Sequence, residues 1–309
     1  MELMRRLVLT SLTAAFVVAV FAPALLVAQA AAPAPGVERN VVYGMYSGLA
    51  LLLDVHRPST PNGAGIVAIT GIGFHAGAEY GATPMKELQE QLGIFVKPLV
   101  AAGYTVFVIN HRGAPAFRYP AGIEDAERAV RFVRHHATRF EISPDRIGAV
   151  GASSGGYMAS MLGVRSGAGG PDDGDAVNRQ QARVQAVVAY CPPEDLTGAF
   201  NNFGMSAIAA FMGSLRLPDP KSAEFKMYLQ ASPIASVSSD DAPFLLIHGD
   251  KDQLVPIEHS EKMEAALRGA NVPVKLIRVI GSGHMIQAKP EYPDFTTEMI
   301  RWFDAHLRK

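Results

Sequence analysis

The stretch Gly151-Ala152-Ser153-Ser154-Gly155 constrains this chain more than any other, because of what flanks it. Before it runs Ile147-Gly148-Ala149-Val150, a short apolar strand pattern introduced by the turn signal Ser143-Pro144-Asp145-Arg146. After it, Gly156 to Leu162 has the character of a buried helix. A serine at a sharp strand-to-helix turn, with glycine two residues before and two after, has the form of a nucleophile elbow. The turn forces strained backbone geometry on the serine, and side chains at the flanking positions would collide with strand and helix. The helix N-terminus also directs amide hydrogens and a positive dipole end at any anion formed there. Taken alone, the pattern equally fits a glycine-rich tight turn with solvated serines, so partners elsewhere must decide.

The rest of the chain repeats the strand-helix alternation. Leu49–Val55 and Gly65–Ile69 read as early strands separated by a Pro- and Gly-rich turn, with Val41–Tyr43 paired to the first as a hairpin. A helix is expected over Glu87–Ala102, closed by Gly103, and a strand buried on both faces over Thr105–Ile109. Glu124–Ala137 has helical periodicity. Beyond the elbow, Ser166–Asn178 reads as an exposed loop; strands follow at Val184–Ala189, Pro243–Ile247 and Val274–Ile280, and helices at Ile257–Arg268 and Asp294–Leu307. Such alternation implies an α/β fold with a mostly parallel central sheet covered by helices on both faces. Ligands then bind outside the carboxyl ends of the strands, where the elbow lies. The segment from about Thr197 to Leu229 breaks the pattern. It is rich in Phe, Met and Ala, includes Phe203 and Phe211, and reads as a small helical cap insertion; an ordinary helical excursion on the core has the same composition.

The N-terminus is a separate matter. Arg5 and Arg6 precede an apolar run from Leu7 to Ala28, followed by Ala28-Gln29-Ala30-Ala31, which fits cleavage after Ala30. Residues 1–30 are expected to be a signal peptide and 31–36 a linker, leaving 37–309 as a single domain in a secreted or periplasmic protein. The run is also long enough to serve as an uncleaved anchor. Cys191 is the single cysteine, so the chain has no internal disulfide and must be stabilised by its core. Charges nearly cancel, at 28 basic against 29 acidic residues, so no basic stripe suggests nucleic acid and no stable membrane association is expected after cleavage. Oligomeric state is not legible.

Two later strand ends carry suitable partners for the serine. One reads His248-Gly249-Asp250-Lys251-Asp252, the other Gly281-Ser282-Gly283-His284. A serine hydroxyl needs an imidazole to take its proton, and the imidazole needs a carboxylate to fix its tautomer. His284 can reach over the sheet top, and either Asp252 or Asp250 can serve it. His248 ends a buried strand and suits a structural hydrogen bond, while His135-His136 reads as a solvated helical pair. Two amide donors must also face the developing oxyanion, and losing one costs on the order of 3 kcal/mol. Ser154 supplies one; the loop Thr70-Gly71-Ile72-Gly73-Phe74 after the Gly65–Ile69 strand is expected to supply the other.

These elements together resemble the secreted esterases of the α/β-hydrolase superfamily, the group around acetyl esterases, the hormone-sensitive-lipase type and bacterial feruloyl-esterase-like proteins. The resemblance runs from Val41 to Leu307, through Leu51-Leu52-Leu53-Asp54-Val55-His56-Arg57-Pro58, Asp125–Val130, the elbow, Cys191–Leu196, Ala231-Ser232-Pro233 and both later strand ends. It implies an α/β-hydrolase fold with Ser153 as nucleophile, Asp252 as acid and His284 as base, acting on a small-molecule ester without metal or organic cofactor. It also implies Ile72 or Gly73 beside Ser154 in the oxyanion hole, with the aromatic Phe74 next to them, while the Phe- and Met-rich cap segment suits an apolar substrate wall that would include Phe203 and Phe211. The sequence departs from the family's His-Gly-Gly-Gly-aromatic motif: Thr70 replaces the histidine, and Ile72 is β-branched where the family has glycine, which disfavours a left-handed backbone. Two alternatives remain. Gly-x-Ser-x-Gly-Gly-Tyr and His-Gly-x-x-Asp are shared with the prolyl oligopeptidase family, which implies a peptidase or amidase; the altered loop also suits a catalytically silent binding protein.

Overall fold

The computed structural model describes residues 36–74, 84–88, 91–165, 167–217, 219–284 and 289–308, all within one compact unit. The expected signal peptide and all of the linker except Gly36 lie outside the described residues. Eight strands form one sheet: β1 (Gly36–Tyr46), β2 (Leu49–Arg57), β3 (Gly65–Ile69), β4 (Thr105–Ile109), β5 (Ile147–Ala152), β6 (Val187–Tyr190), β7 (Phe244–Gly249) and β8 (Val274–Val279). Their spatial order is β1-β2-β4-β3-β5-β6-β7-β8. The β1–β2 and β2–β4 pairs are antiparallel, and every pair from β4 to β8 is parallel.

Strands buried on both faces read as near-continuous apolar runs, and the central strands do so: β3, β4, β6 and β7 are buried throughout, with Thr105 and His248 the polar exceptions at the ends of β4 and β7. Alternate residues feed two separate cores. Val67, Ile69, Phe107 and Ile109 pack against helices α2 (Ala121–His135) and α3 (Ser154–Val164). Ile66, Ala68, Val106 and Val108 pack on the other face, against α1 (Lys97–Ala101) and the C-terminal helix α7 (Phe295–Leu307). Between these come α4 (Asn202–Met212) and α5 (Ala223–Gln230), which follow β6, and α6 (Glu258–Gly269), which follows β7.

Three expectations shift when built. The single helix expected over Glu87–Ala102 is divided: a short 3-10 turn holds Met85–Glu87, and the regular helix α1 begins only at Lys97 with Pro98 in its first turn. The chain just ahead of it, Leu92–Val96, is a π-helix, and Pro98, having no N–H, cannot donate the regular i→i−4 bond back into that turn. Helix α2 starts at Ala121, earlier than periodicity indicates, with Pro120 at its N-cap position. Strand β6 begins at Val187 rather than Val184; the Ile147 amide, which a longer strand would need to bind, is taken by the Gln185 side chain at 3.0 Å.

Candidate active site

Ser153 sits between β5 and α3 with φ 52° and ψ −122°, in a backbone region that non-glycine residues rarely occupy. The strain is held by close packing of bare backbone. A Cβ on Gly151 would lie 2.3 Å from the Gly155 carbonyl oxygen, and one on Gly155 would lie 2.1 Å from the Ile69 carbonyl oxygen. The Ser153 amide donates to Tyr190 O on the adjacent strand at 2.8 Å. The side chain is thereby pushed up at the carboxyl end of the sheet.

His284 meets it there, following the β8 strand. Its Nε2 lies 2.9 Å from Ser153 Oγ and its Nδ1 lies 2.7 Å from Asp252 Oδ2. Asp252 is buried on the turn after β7, and its other oxygen accepts the Leu254 and Val255 amides, each at 2.9 Å. Burial alone would raise the Asp252 pKa. Hydrogen bonds from His248 and His284, the positive charge of His284 and the Val255 amide outweigh it, holding the carboxyl well below the usual range. Asp250 faces elsewhere: it accepts the Gly281 amide at 2.6 Å, so of the two carboxylates only Asp252 reaches the imidazole.

His248 stands behind this pair. Its Nε2 lies 2.8 Å from Val255 O and 3.3 Å from Asp252 Oδ2, and its Nδ1 lies 2.7 Å from Ser260 Oγ. Because a carbonyl can only accept, Nε2 carries the proton and Nδ1 accepts from the Ser260 hydroxyl. Cys191, His248 and Asp252 are the one group among the described residues with donor atoms at metal-ligand spacing. With both His248 nitrogens engaged, and with burial and the Asp252 charge raising the Cys191 thiol pKa, the cluster is arranged as support for Asp252 rather than as a metal cradle.

The Thr70–Phe74 loop approaches the elbow from β3. A Cβ on Gly71 would stand 2.2 Å from Ala152 O and 2.9 Å from Ser153 Cβ, so loop and elbow touch backbone to backbone. The left-handed positions fall on Gly73 (φ 63°) and Phe74 (φ 67°), not on Ile72, which removes the conflict between a β-branched side chain and a positive φ. The Ile72 amide, however, donates to Ser154 Oγ at 3.0 Å. That bond engages the Ile72 amide, which leaves Gly73 as the other of the two positions named for the oxyanion. Gly73 and Ser153 both line the cleft, and the Ser154 amide opens helix α3.

That cleft is small and apolar. Phe74 and Phe203 line it; Phe211 does not. Phe211 is buried beneath Phe74, with ring centroids 4.4 Å apart, and also packs edge-on against Tyr119 and Tyr157. It supports the wall without forming it. The inward face of α4 supplies Ala207 and Ile208, while the turn after Asp252 supplies Leu254 and Val255. Pro193, Phe200 and Gly204 complete the lining. Periodicity within α4 separates Ala207 and Ile208 from its exposed side, but Leu254 and Val255 are marked only by nearness to Asp252.

A sheet of this order with a strained serine elbow on its fifth strand defines the class: an α/β hydrolase. Within that class the chain belongs to the BD-FAE family, whose sequence pattern matches residues 53–267. Among individual proteins it is similar to the probable carboxylic ester hydrolase LipM of Mycobacterium tuberculosis, 28% identical over 170 residues, which cover 55% of this chain and 39% of LipM. Esterase LipQ of the same organism is 32% identical over 174 residues, covering 56% and 40%. The chain thus spans about two fifths of the length of these curated relatives. Among solved structures, the acetyl ester-xyloside bifunctional hydrolase from Caldicellulosiruptor lactoaceticus superposes with a TM-score of 0.71 at 25% identity, covering 88% of this chain and 97% of that one.

Proposed function

We propose that this protein is a serine carboxylesterase for esters of small to medium acyl groups, working through a covalent acyl-enzyme. The observation that carries the reading is the unbroken hydrogen-bond chain from Ser153 Oγ through His284 to Asp252, at 2.9 and 2.7 Å. Ser153 Oγ attacks the ester carbonyl as its proton passes to His284 Nε2, and Asp252 stabilises the imidazolium and keeps Nδ1 protonated. The carbonyl oxygen becomes an oxyanion facing the Ser154 amide at the α3 N-terminus and the Gly73 edge of the loop. Collapse breaks the bond to the alcohol oxygen, which leaves with the proton from His284. Water, deprotonated by the same imidazole, then attacks the acyl-enzyme and releases the acid, regenerating Ser153.

The small apolar cleft supports an acyl group of a few carbons, and the likeness to an acetyl ester hydrolase supports the same end of the range. The sequence of residues 1–30 supports export to the periplasm or medium, which N-terminal sequencing of the mature protein would check by starting at Ala31. The functional test is turnover of a p-nitrophenyl ester series alongside a prolyl anilide. Ester cleavage that favours short acyl chains, vanishes in Ser153→Ala and exceeds anilide cleavage is the expected result. Anilide preference supports the peptidase reading, and no turnover of either supports a silent scaffold.

A further inference from the structure

The loop that must supply half of the oxyanion hole carries Ile72 where its family has glycine, yet it is fixed at three consecutive residues. Thr70 Oγ1 donates to Met85 O at 3.1 Å. The Ile72 amide donates to Ser154 Oγ at 3.0 Å. Between them Gly71 makes two hydrogen bonds with one side chain: its N–H donates to Gln91 Oε1 at 2.7 Å, and its carbonyl accepts from Gln91 Nε2 at 2.8 Å. A primary amide that pairs with both backbone groups of one residue mimics a strand partner, and it fixes the orientation of both flanking peptide planes. Gly71 is also the residue whose missing side chain lets the loop rest against the Ser153 Cβ. Any rotation at Gly71 therefore moves the following amides relative to the nucleophile.

We propose that Gln91 is a positioning residue for the oxyanion hole, holding the Gly71–Gly73 segment at the distance from Ser153 that transition-state stabilisation needs. It touches no substrate. Its amide is the only uncharged side-chain group of this length that donates and accepts at once, so substitution breaks the clamp in graded ways. Gln91→Leu removes both bonds at similar volume. Gln91→Glu keeps an acceptor for the Gly71 amide but sets a carboxylate against the Gly71 carbonyl unless the carboxyl is protonated.

The inference rests on the esterase reading, and the experiment separates the two. The full-length protein and its Gln91→Leu, Gln91→Glu and Ser153→Ala variants are assayed on p-nitrophenyl acetate from pH 5 to 8, with thermal melting as a check on folding. A contact that acts only in the transition state lowers kcat and leaves KM alone. Gln91→Leu is expected to lose about 10- to 100-fold in kcat, with KM within about twofold and a native melting transition. Gln91→Glu is expected to show a similar loss at pH 8 that shrinks, relative to the parent enzyme at each pH, as protonation restores a donor towards pH 5. If Gln91→Leu melts early, the pH trend in Gln91→Glu still decides. A kcat unchanged in both variants, or a constant Glu/Gln ratio across pH, overturns the clamp while leaving Ser153 untouched. Full turnover in Ser153→Ala overturns the esterase reading instead.

Discussion

Glu194 offers the sharpest test of how this site is supported. It lies on the segment after β6, next to the cleft-lining Pro193, fully buried, with Oε1 2.6 Å from Ser160 Oγ two turns along α3 from Ser153. Its second oxygen, Oε2, is buried without a hydrogen-bond partner among the described residues. An ionised carboxylate in that position would be costly, and burial pushes the pKa up from 4.5 to about 8, against the lowering effect of Ser160. The folded protein therefore holds Glu194 protonated at neutral pH while the unfolded chain ionises it. For a raised carboxyl pKa, stability is complete below pH 4.5 and is lost progressively until the pH passes about 8. Each pH unit in that window costs about 1.4 kcal/mol, so roughly 3 kcal/mol disappears between pH 4.5 and 7. The Glu194→Gln side chain is neutral throughout and can keep the bond to Ser160. Denaturant unfolding of the parent and Glu194→Gln at pH 4.5, 6 and 7 measures the difference directly. The account predicts a gap that widens by about 3 kcal/mol in favour of Glu194→Gln as pH rises across this range. A gap that stays constant with pH would refute the reasoning, because a constant offset reports packing and not a proton.

The remaining predictions concern chemistry and specificity. Asp252→Asn should lower kcat on the order of 10⁴-fold with little change in KM: the Leu254 and Val255 amides hold the Asn carbonyl at the Oδ1 position, so a donating NH2 faces His284 Nδ1 and selects the wrong tautomer; Asp250→Asn, which retains an acceptor for the Gly281 amide, should stay within about threefold of the parent. Steady-state kinetics on one p-nitrophenyl ester compares the two. Ala207→Phe should narrow the acyl range: kcat/KM for hexanoate esters falls about tenfold or more while acetate esters change less than about threefold, since Ala207 borders the cleft and not the triad. An equal loss on both esters would place the acyl group elsewhere.

Much of this architecture was legible because strong local chemistry marks it. Strands β3 and β4 coincide with apolar runs bounded by turn residues, and the elbow announces itself through glycines that the packing requires. Asp252 and His284 were found by their place at strand ends, although only the resemblance distinguished Asp252 from Asp250. Contacts between loops carry no period and left little trace. Gln91 and Gly71 are 20 residues apart, and neither identity advertises the pairing. Ile72 was one of two positions expected to aim an amide at the oxyanion; the fold uses it on Ser154 Oγ, a hydroxyl that reads as an ordinary helix-start serine. Phe211 shares the buried face of α4 with Ala207 and Ile208, so helical spacing assigns it to the wall with them and cannot show that it stacks beneath Phe74 instead.

The central claim is that Ser153 is a nucleophile activated by His284. Labelling the protein with a fluorophosphonate, followed by intact mass and peptide mapping, tests it most directly. The account predicts one adduct per chain, on Ser153, absent from Ser153→Ala and formed far more slowly by His284→Ala. An adduct on another residue, or none in a preparation that hydrolyses p-nitrophenyl acetate, would contradict it.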